Sequence, residues 1–172
     1  TDPLYAYYNA FSAPVSIIQG KHKLVGGNQD ILDQYAPTVQ SELDSLSQMD
    51  YRVINATVEE KNISGSVKLT PLSASFNQEE LILNLAVIDL VSTAVNAEGE
   101  PLTNVVIGRK RIDISTVDLS NPVAFEFDAN VIIPEDAALV VFAQKTPTTF
   151  ANNATIYSGL QYPLTVKKGG SR

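Results

Sequence analysis

The hydrophobic pattern of the chain changes its period once, near Asp50, and this change limits the folds that are open to it. Before that point one stretch after Asn28 has apolar residues at every third or fourth position. After it the apolar residues alternate with polar ones or form short runs, and no helical period returns. A period of two is typical of strands, and a period near 3.6 is typical of helices. The sequence therefore predicts a mainly β protein with one helix near its N-terminus.

Residues 1–48 are predicted to form a small β-β-α segment. Residues 14–18 form a proline-led apolar run that indicates a strand, and residues 23–25 indicate a second short strand. Gly20 lies between the two runs and marks a turn. The segment is thus expected to begin with a hairpin, which the helix follows.

The helix is predicted to begin after Asn28, whose side chain is well suited to an N-cap. One face of this helix is apolar and consists of Ile31, Leu32, Tyr35, Val39, Leu43 and Leu46. Pro37 lies inside the pattern, lacks an amide donor and disfavours helical geometry in the residue before it. We therefore expect the helix to be kinked at Pro37 or to be split after Tyr35.

Residues 49–172 are predicted to form one β domain. The clearest alternation places Val123, Phe125 and Phe127 on one face of a strand, and this face continues to Ala129 and Val131. Turn signals rich in Gly, Pro, Asn and Asp separate the strand candidates. There are seven of them, at 51–59, 63–69, 80–91, 104–112, 123–133, 138–145 and 155–166. This number and punctuation predict a seven-stranded, antiparallel immunoglobulin-like sandwich.

The third of these candidates is apolar on both faces from Leu81 to Leu90, which is expected of a central strand that is covered on both sides. Asp89 interrupts the run. A buried acid needs a partner. The alternative is that Asp89 marks the end of the strand and reaches solvent.

Charge and composition exclude several classes of function. The formal net charge is −7, which opposes binding to nucleic acid or to an anionic membrane. The one basic run, Arg109, Lys110 and Arg111, would point to alternate faces of a strand. The chain has no cysteine, so disulfides, thiolate catalysis and cysteine-ligated metals are excluded. No apolar stretch approaches the length of a transmembrane helix.

No motif of the chain predicts a catalytic site. His22 is the only histidine, and we expect it to be an exposed turn residue that the flanking Lys21 and Lys23 do not orient. A serine nucleophile would lack its usual Gly-x-Ser-x-Gly context, and paired carboxylates would lack a tryptophan for stacking on a sugar. The chain is therefore predicted not to be an enzyme, with no cofactor and no resident metal.

Two alternatives concern modification and calcium. Loop carboxylates that could bind calcium, without the spacing of a known calcium loop, are Glu98, Glu100, Glu135 and Asp136. Three asparagines, Asn55, Asn62 and Asn153, stand in the Asn-x-Ser/Thr pattern of N-glycosylation. Matches to so short a pattern also arise by chance, so both alternatives stay open.

Two sets of short motifs resemble a known bacterial family. The run Ala13-Pro14-Val15-Ser16-Ile17-Ile18, the hairpin strand before Gly26-Gly27 and the helix from Gln29 resemble the second half of a thioredoxin fold. The runs 83–89, 104–109 and 139–144 resemble the β-sandwich of outer-membrane-associated lipoproteins, which pair a thioredoxin-like domain with an immunoglobulin-like one. The resemblance implies an extracytoplasmic location, either periplasmic or on the cell surface.

The resemblance also implies a first half of the thioredoxin-like domain, which this chain does not contain. That half would carry any redox cysteine pair, and a chain without thiols has no such chemistry. The start at Thr1, without Met, is expected to reflect a processed or trimmed terminus.

The leading functional hypothesis is a non-catalytic structural or protein-interaction subunit of a larger surface assembly, whose partners are other protein subunits. The candidate partner contacts are Tyr5, Tyr7, Tyr8 and Phe11, because tyrosine is enriched at buried interfaces. A second hypothesis is the C-terminal part of a thioredoxin-like oxidoreductase or chaperone. A third is a homo-oligomeric fibre subunit in which residues 2–11 add a strand to a neighbour.

Overall fold

The computed structural model of the chain describes residues 15–45, 47–74, 76–147 and 153–166. The described part is mainly β, as predicted, and contains one helix. In chain order the elements are β1 (Val15–Ile18), β2 (His22–Val25), α1 (Gln29–Leu43), β3 (Met49–Glu59), β4 (Asn62–Pro71), β5 (Leu81–Val95), β6 (Pro101–Asp113), β7 (Val123–Asp128), β8 (Ala138–Lys145) and β9 (Ile156–Pro163). Each strand run of the sequence has a counterpart among these elements.

The strands form three antiparallel sheets. β1 and β2 make a two-stranded sheet, β3-β4-β7 a three-stranded sheet, and β6-β5-β8-β9 a four-stranded sheet. The two larger sheets share one hydrophobic core, to which the alternating residues of β3, β4, β5, β7 and β8 contribute. We call strands β3 to β9 the two-sheet body.

β5 is the central strand of the four-stranded sheet, as its apolar sequence predicts. Leu81, Leu83, Leu85 and Val87 are essentially inaccessible to solvent, because they face the core. The residues between them, such as Ile82 and Ala86, are only half-buried. The strand is therefore less fully covered on its outer face than its sequence indicates.

The alternation that begins at Val123 ends sooner than predicted. β7 stops at Asp128, because the chain then crosses the end of the two-sheet body. The amide of Ala129 donates to Lys61 O at 2.8 Å, and that of Asn130 donates to Ile107 O at 2.7 Å. Val131, predicted on the core face, is consequently 48% exposed, and that expectation is wrong.

The helix begins where the sequence predicts but is not split at Pro37. The Asn28 side chain accepts from the amide of Ile31 at 3.1 Å, and α1 then continues without interruption from Gln29 to Leu43. The Thr38 hydroxyl donates to Gln34 O at 2.7 Å, one turn earlier. No helix in the described residues is both long enough and apolar enough to span a membrane.

Candidate interaction surface

The turn between β1 and β2 fastens the β-β-α segment to the two-sheet body. Gln19 O accepts from the amide of Ile156 at 3.0 Å. Gly20 has a φ of +66°, and a Cβ atom at this position would lie 1.8 Å from Ala154 O. The Gln144 side chain donates to the same carbonyl at 3.2 Å. Only glycine fits this close approach, so the glycine at this turn is required by a tertiary contact as well as by the turn itself.

An ion-pair cluster joins the hairpin to the end of the helix. Lys21 Nζ lies 2.7 Å from one oxygen of Glu42, and His22 Nε2 lies 2.7 Å from the other. The hydrogen bond from Lys21, reinforced by His22, holds the pKa of the Glu42 carboxyl below its ordinary value, and partial burial opposes this effect. His22 is thus the first residue of β2 and is oriented by a carboxylate, whereas the sequence predicts an unoriented turn residue.

Beside this cluster, an open cleft of about 260 Å³ lies between the segment and the two-sheet body. Its lining includes Glu42, Ser47 and Ser158, and the two serine hydroxyls are 2.5 Å apart. Ser158 reaches Ser47 because β9 has a bulge there, where the φ of Ser158 is +51°. The two hydroxyls bind each other and Glu42 is engaged by Lys21 and His22, so the cleft is held together by its own polar groups.

The described part of the β-β-α segment has no core of its own. Within residues 15–45 Gly20 is the one buried residue. The apolar face of α1 is largely open, with Leu32 55%, Tyr35 43% and Leu43 73% exposed. An amphipathic helix normally buries this face. The exposed face of α1 is therefore a candidate surface for another polypeptide.

A second group of exposed apolar side chains, divided between the two faces of the strands, lies at the end of the two-sheet body where β5 and β6 continue beyond β8. Its members are Val91, Val95, Leu102, Val106, Val131 and Ile132, each between 39% and 66% exposed. Clusters of exposed apolar residues mark interaction sites more often than isolated ones do. Sequence reasoning missed this group, because alternation within a strand does not reveal how far the neighbouring strands extend.

Asp89 lies inside β5, which continues to Val95, so it does not mark the end of the strand. The residue is half-buried, and its Oδ1 atom is buried without a hydrogen-bond partner in the described part of the chain. The sequence alternative that Asp89 ends the strand and reaches solvent is therefore wrong. Its position opposite Val105 places it where β5 leaves the two-sheet body.

The other residues singled out in the sequence lie on several different strands and loops. Glu98 and Glu100 occupy the β5–β6 loop, and in the described residues no group of three or more acidic or histidine side chains is placed to hold a metal. Asn55 accepts from the Ser66 hydroxyl at 2.9 Å, Asn62 donates to Asp128 at 3.0 Å, and Asn153 is exposed. The predicted contacts Tyr5, Tyr7, Tyr8 and Phe11 fall outside the described residues.

Comparison of the chain with family models, with curated proteins and with solved structures gives no significant match.

Proposed function

We propose that this chain is a non-catalytic structural or protein-interaction subunit of an extracytoplasmic assembly, and that the β-β-α segment docks on another protein. The observation that carries the proposal is the open apolar face of α1. A two-stranded hairpin with one uncovered helix is marginally stable in water, because it buries too little apolar surface. A partner that covers Leu32, Tyr35 and Leu43 would supply the missing burial.

The order of strands and sheets supports an immunoglobulin-like assignment of the two-sheet body. Seven antiparallel strands are divided into β3-β4-β7 and β6-β5-β8-β9 around one core. Immunoglobulin-like and related sandwich domains have seven strands in two such sheets. Many domains of cell surfaces and of the periplasm use this architecture for binding. Fold alone does not assign a function, so the surface of α1 carries the argument.

The alternative proposal is the C-terminal part of a thioredoxin-like oxidoreductase or chaperone. The same observation supports it, because β1, β2 and α1 follow the order of the second half of that fold. In this case the polypeptide that covers α1 belongs to the same gene product. The alternative predicts that the gene encodes a Cys-x-x-Cys pair upstream of Thr1. A fibre subunit that assembles by strand addition instead requires residues 2–11 to lie extended in the sheet of a neighbour.

The test is to isolate the chain in its native complex and to rebuild the contact from purified parts. We expect the mass from light scattering to exceed that of the chain, and the identified partner to bind the purified chain in calorimetry. The double variant Leu32→Asp/Tyr35→Asp should lower that affinity by about a hundredfold or more, because the loss of each central apolar contact costs about 2 kcal/mol or more.

Leu72→Asp is the matched control for this measurement. Leu72 is 57% exposed, close to the 55% of Leu32, and follows β4 on the two-sheet body. It should leave the affinity unchanged. A chain that is isolated alone, or a partner that binds the double variant as tightly as the wild type, would contradict the proposal.

A further inference from the structure

The β5–β6 hairpin extends beyond the two-sheet body. β8 pairs with β5 only as far as Ile88, whereas β6 accompanies β5 to the pair of Val95 with Pro101. Past Ile88 the two strands are therefore paired only with each other among the described residues. We call this extension, residues 89–105, the arm.

The tip of the arm has a defined conformation. The side-chain oxygen of Asn96 accepts from the amides of Glu98 and Glu100 at 3.0 and 2.9 Å. The side-chain nitrogen of Asn96 donates to the Glu100 carboxylate at 3.1 Å. The backbone amide of Asn96 donates to the backbone oxygen of Glu100 at 2.9 Å. Both carboxylates thus stay at the tip and are exposed.

One face of β6 is exposed along its whole length. Arg111 pairs with Asn84, Arg109 with Ala86 and Val106 with Ile88, and residues that face each other across an antiparallel pair point to the same side. Asn84 and Ala86 alternate with core residues, so this side is directed away from the core. The exposed residues that follow this face are Leu102, Asn104, Val106, Arg109 and Arg111, and we call them the outer stripe.

The chemistry of the outer stripe is self-complementary. Asn104 lies at its middle, with Leu102 on one side and Val106 on the other, 39% and 56% exposed. Beyond Leu102 the chain carries Glu100, and beyond Val106 it carries Arg109. The arginine makes no salt bridge within the described part of the chain. An acidic residue at the end of the β5–β6 loop, an apolar middle and a basic residue therefore follow one another along the chain from Glu100 to Arg109.

We propose that the outer stripe is the contact surface of a symmetric dimer, in which a second copy of this chain packs its own stripe antiparallel to the first. A two-fold axis near Asn104 places Leu102 of each copy on Val106 of the other. The same axis places Glu100 of each copy opposite Arg109 of the other. A two-fold interface uses one surface twice, so it requires this kind of self-complementarity.

The charges favour a second copy of this chain in the antiparallel direction. A parallel second copy would bring acid to acid and base to base, which is unfavourable. The antiparallel copy pairs unlike charges at both ends and buries the apolar middle. Ion pairs at the rim contribute little affinity but fix orientation, whereas the apolar middle carries the affinity. This dimer surface is separate from the face of α1 to which the proposed function refers.

The first test compares two valines of the arm by sedimentation over a series of micromolar concentrations. The wild type should shift from the mass of one chain to that of two as concentration rises. Val106→Asp should stay at the mass of one chain throughout. Val91→Asp is the matched control, because Val91 is 58% exposed but lies on the opposite face of the arm. It pairs with Thr103, which lies between the stripe residues Leu102 and Asn104 and points to the other side. This variant should dimerise like the wild type.

The second test reverses the charges. We expect Glu100→Arg alone and Arg109→Glu alone each to weaken the dimer by about tenfold, because each brings like charges together at both ends of the interface. The double variant Glu100→Arg/Arg109→Glu restores the pairs with exchanged signs, and it should recover most of the wild-type affinity. Thermal unfolding of every variant checks that the fold is retained.

Three outcomes would overturn the dimer. The first is a wild type that stays monomeric at the highest concentration. The second is an equal loss of dimer affinity in Val91→Asp and Val106→Asp. The third is a charge-reversed double variant whose dimer is as weak as those of the single variants. These outcomes leave the surface of α1 untouched. A monomeric chain that still binds its partner through Leu32 and Tyr35 would refute the dimer and keep the proposed function.

Discussion

At the scale of single residues, one hydroxyl group connects the two sheets of the body. Tyr51, on β3, accepts a hydrogen bond from the amide of Ala143 at 2.9 Å and donates one to the carbonyl of Tyr157. Both partners belong to the four-stranded sheet. Burial raises the pKa of Tyr51 far above its ordinary value, so the phenol stays neutral and keeps its proton for the Tyr157 carbonyl.

The expected effect of Tyr51→Phe is a loss of about 1–3 kcal/mol in the free energy of unfolding, because two backbone groups lose their partner inside the protein. Urea denaturation measures this loss. Tyr162→Phe removes a hydroxyl from β9 that makes no such bond among the described residues, and it should change stability by much less. Equal losses in the two variants would show that the Tyr51 hydroxyl does not bridge the sheets.

At the scale of elements, the helix and the strands differ in how well local patterns predict them. Apolar runs and alternation indicated the strands of the two-sheet body, because most of these strands pack alternate residues on a shared core. It overestimated β7, where the chain turns at Asp128 to close the end of the sheets. The split predicted after Tyr35 did not occur, because α1 continues through Pro37 to Leu43, and the alternative of a kink at Pro37 stays a prediction.

Proline inside α1 is expected to cost stability even though the helix continues through it. Pro37→Ala restores an amide donor and should raise the free energy of unfolding by up to about 3 kcal/mol. Circular dichroism and urea denaturation report the change. Ser41→Ala, at an exposed position of the same helix, should gain only about 0.5 kcal/mol. A gain at Pro37 no larger than that at Ser41 would mean that α1 unfolds independently of the two-sheet body.

At the scale of the whole molecule, the contact of the β1–β2 turn with Ala154 decides how the small segment is held on the body. The contact consists of the hydrogen bond from Ile156 to Gln19 and the close approach at Gly20. Since residues 15–45 have no buried side chain, these backbone contacts and the polar cleft carry much of the attachment among the described residues.

A variant pair separates this close approach from backbone strain. Gly20→Ala and Gly99→Ala both place a side chain at positive φ, but nothing lies within 4 Å of a Cβ at Gly99. Strain should cost about 1 kcal/mol in each variant. Gly20→Ala should lose about 1–3 kcal/mol more, because the clash with Ala154 displaces the turn. Hydrogen exchange at the amide of Ile156 should rise only in Gly20→Ala, and equal exchange in the two variants would contradict this account.

The sequence by itself determined the mainly β class, the place of the helix and the central position of β5, because hydrophobic period and N-cap chemistry act over a few neighbouring residues. Only the tertiary structure decided which surfaces stay open. The uncovered face of α1 and the free arm depend on where other strands end, and the orientation of His22 depends on Glu42, which is remote in sequence. Contacts between residues far apart along the chain leave no periodic trace, so the candidate surfaces emerged from the fold.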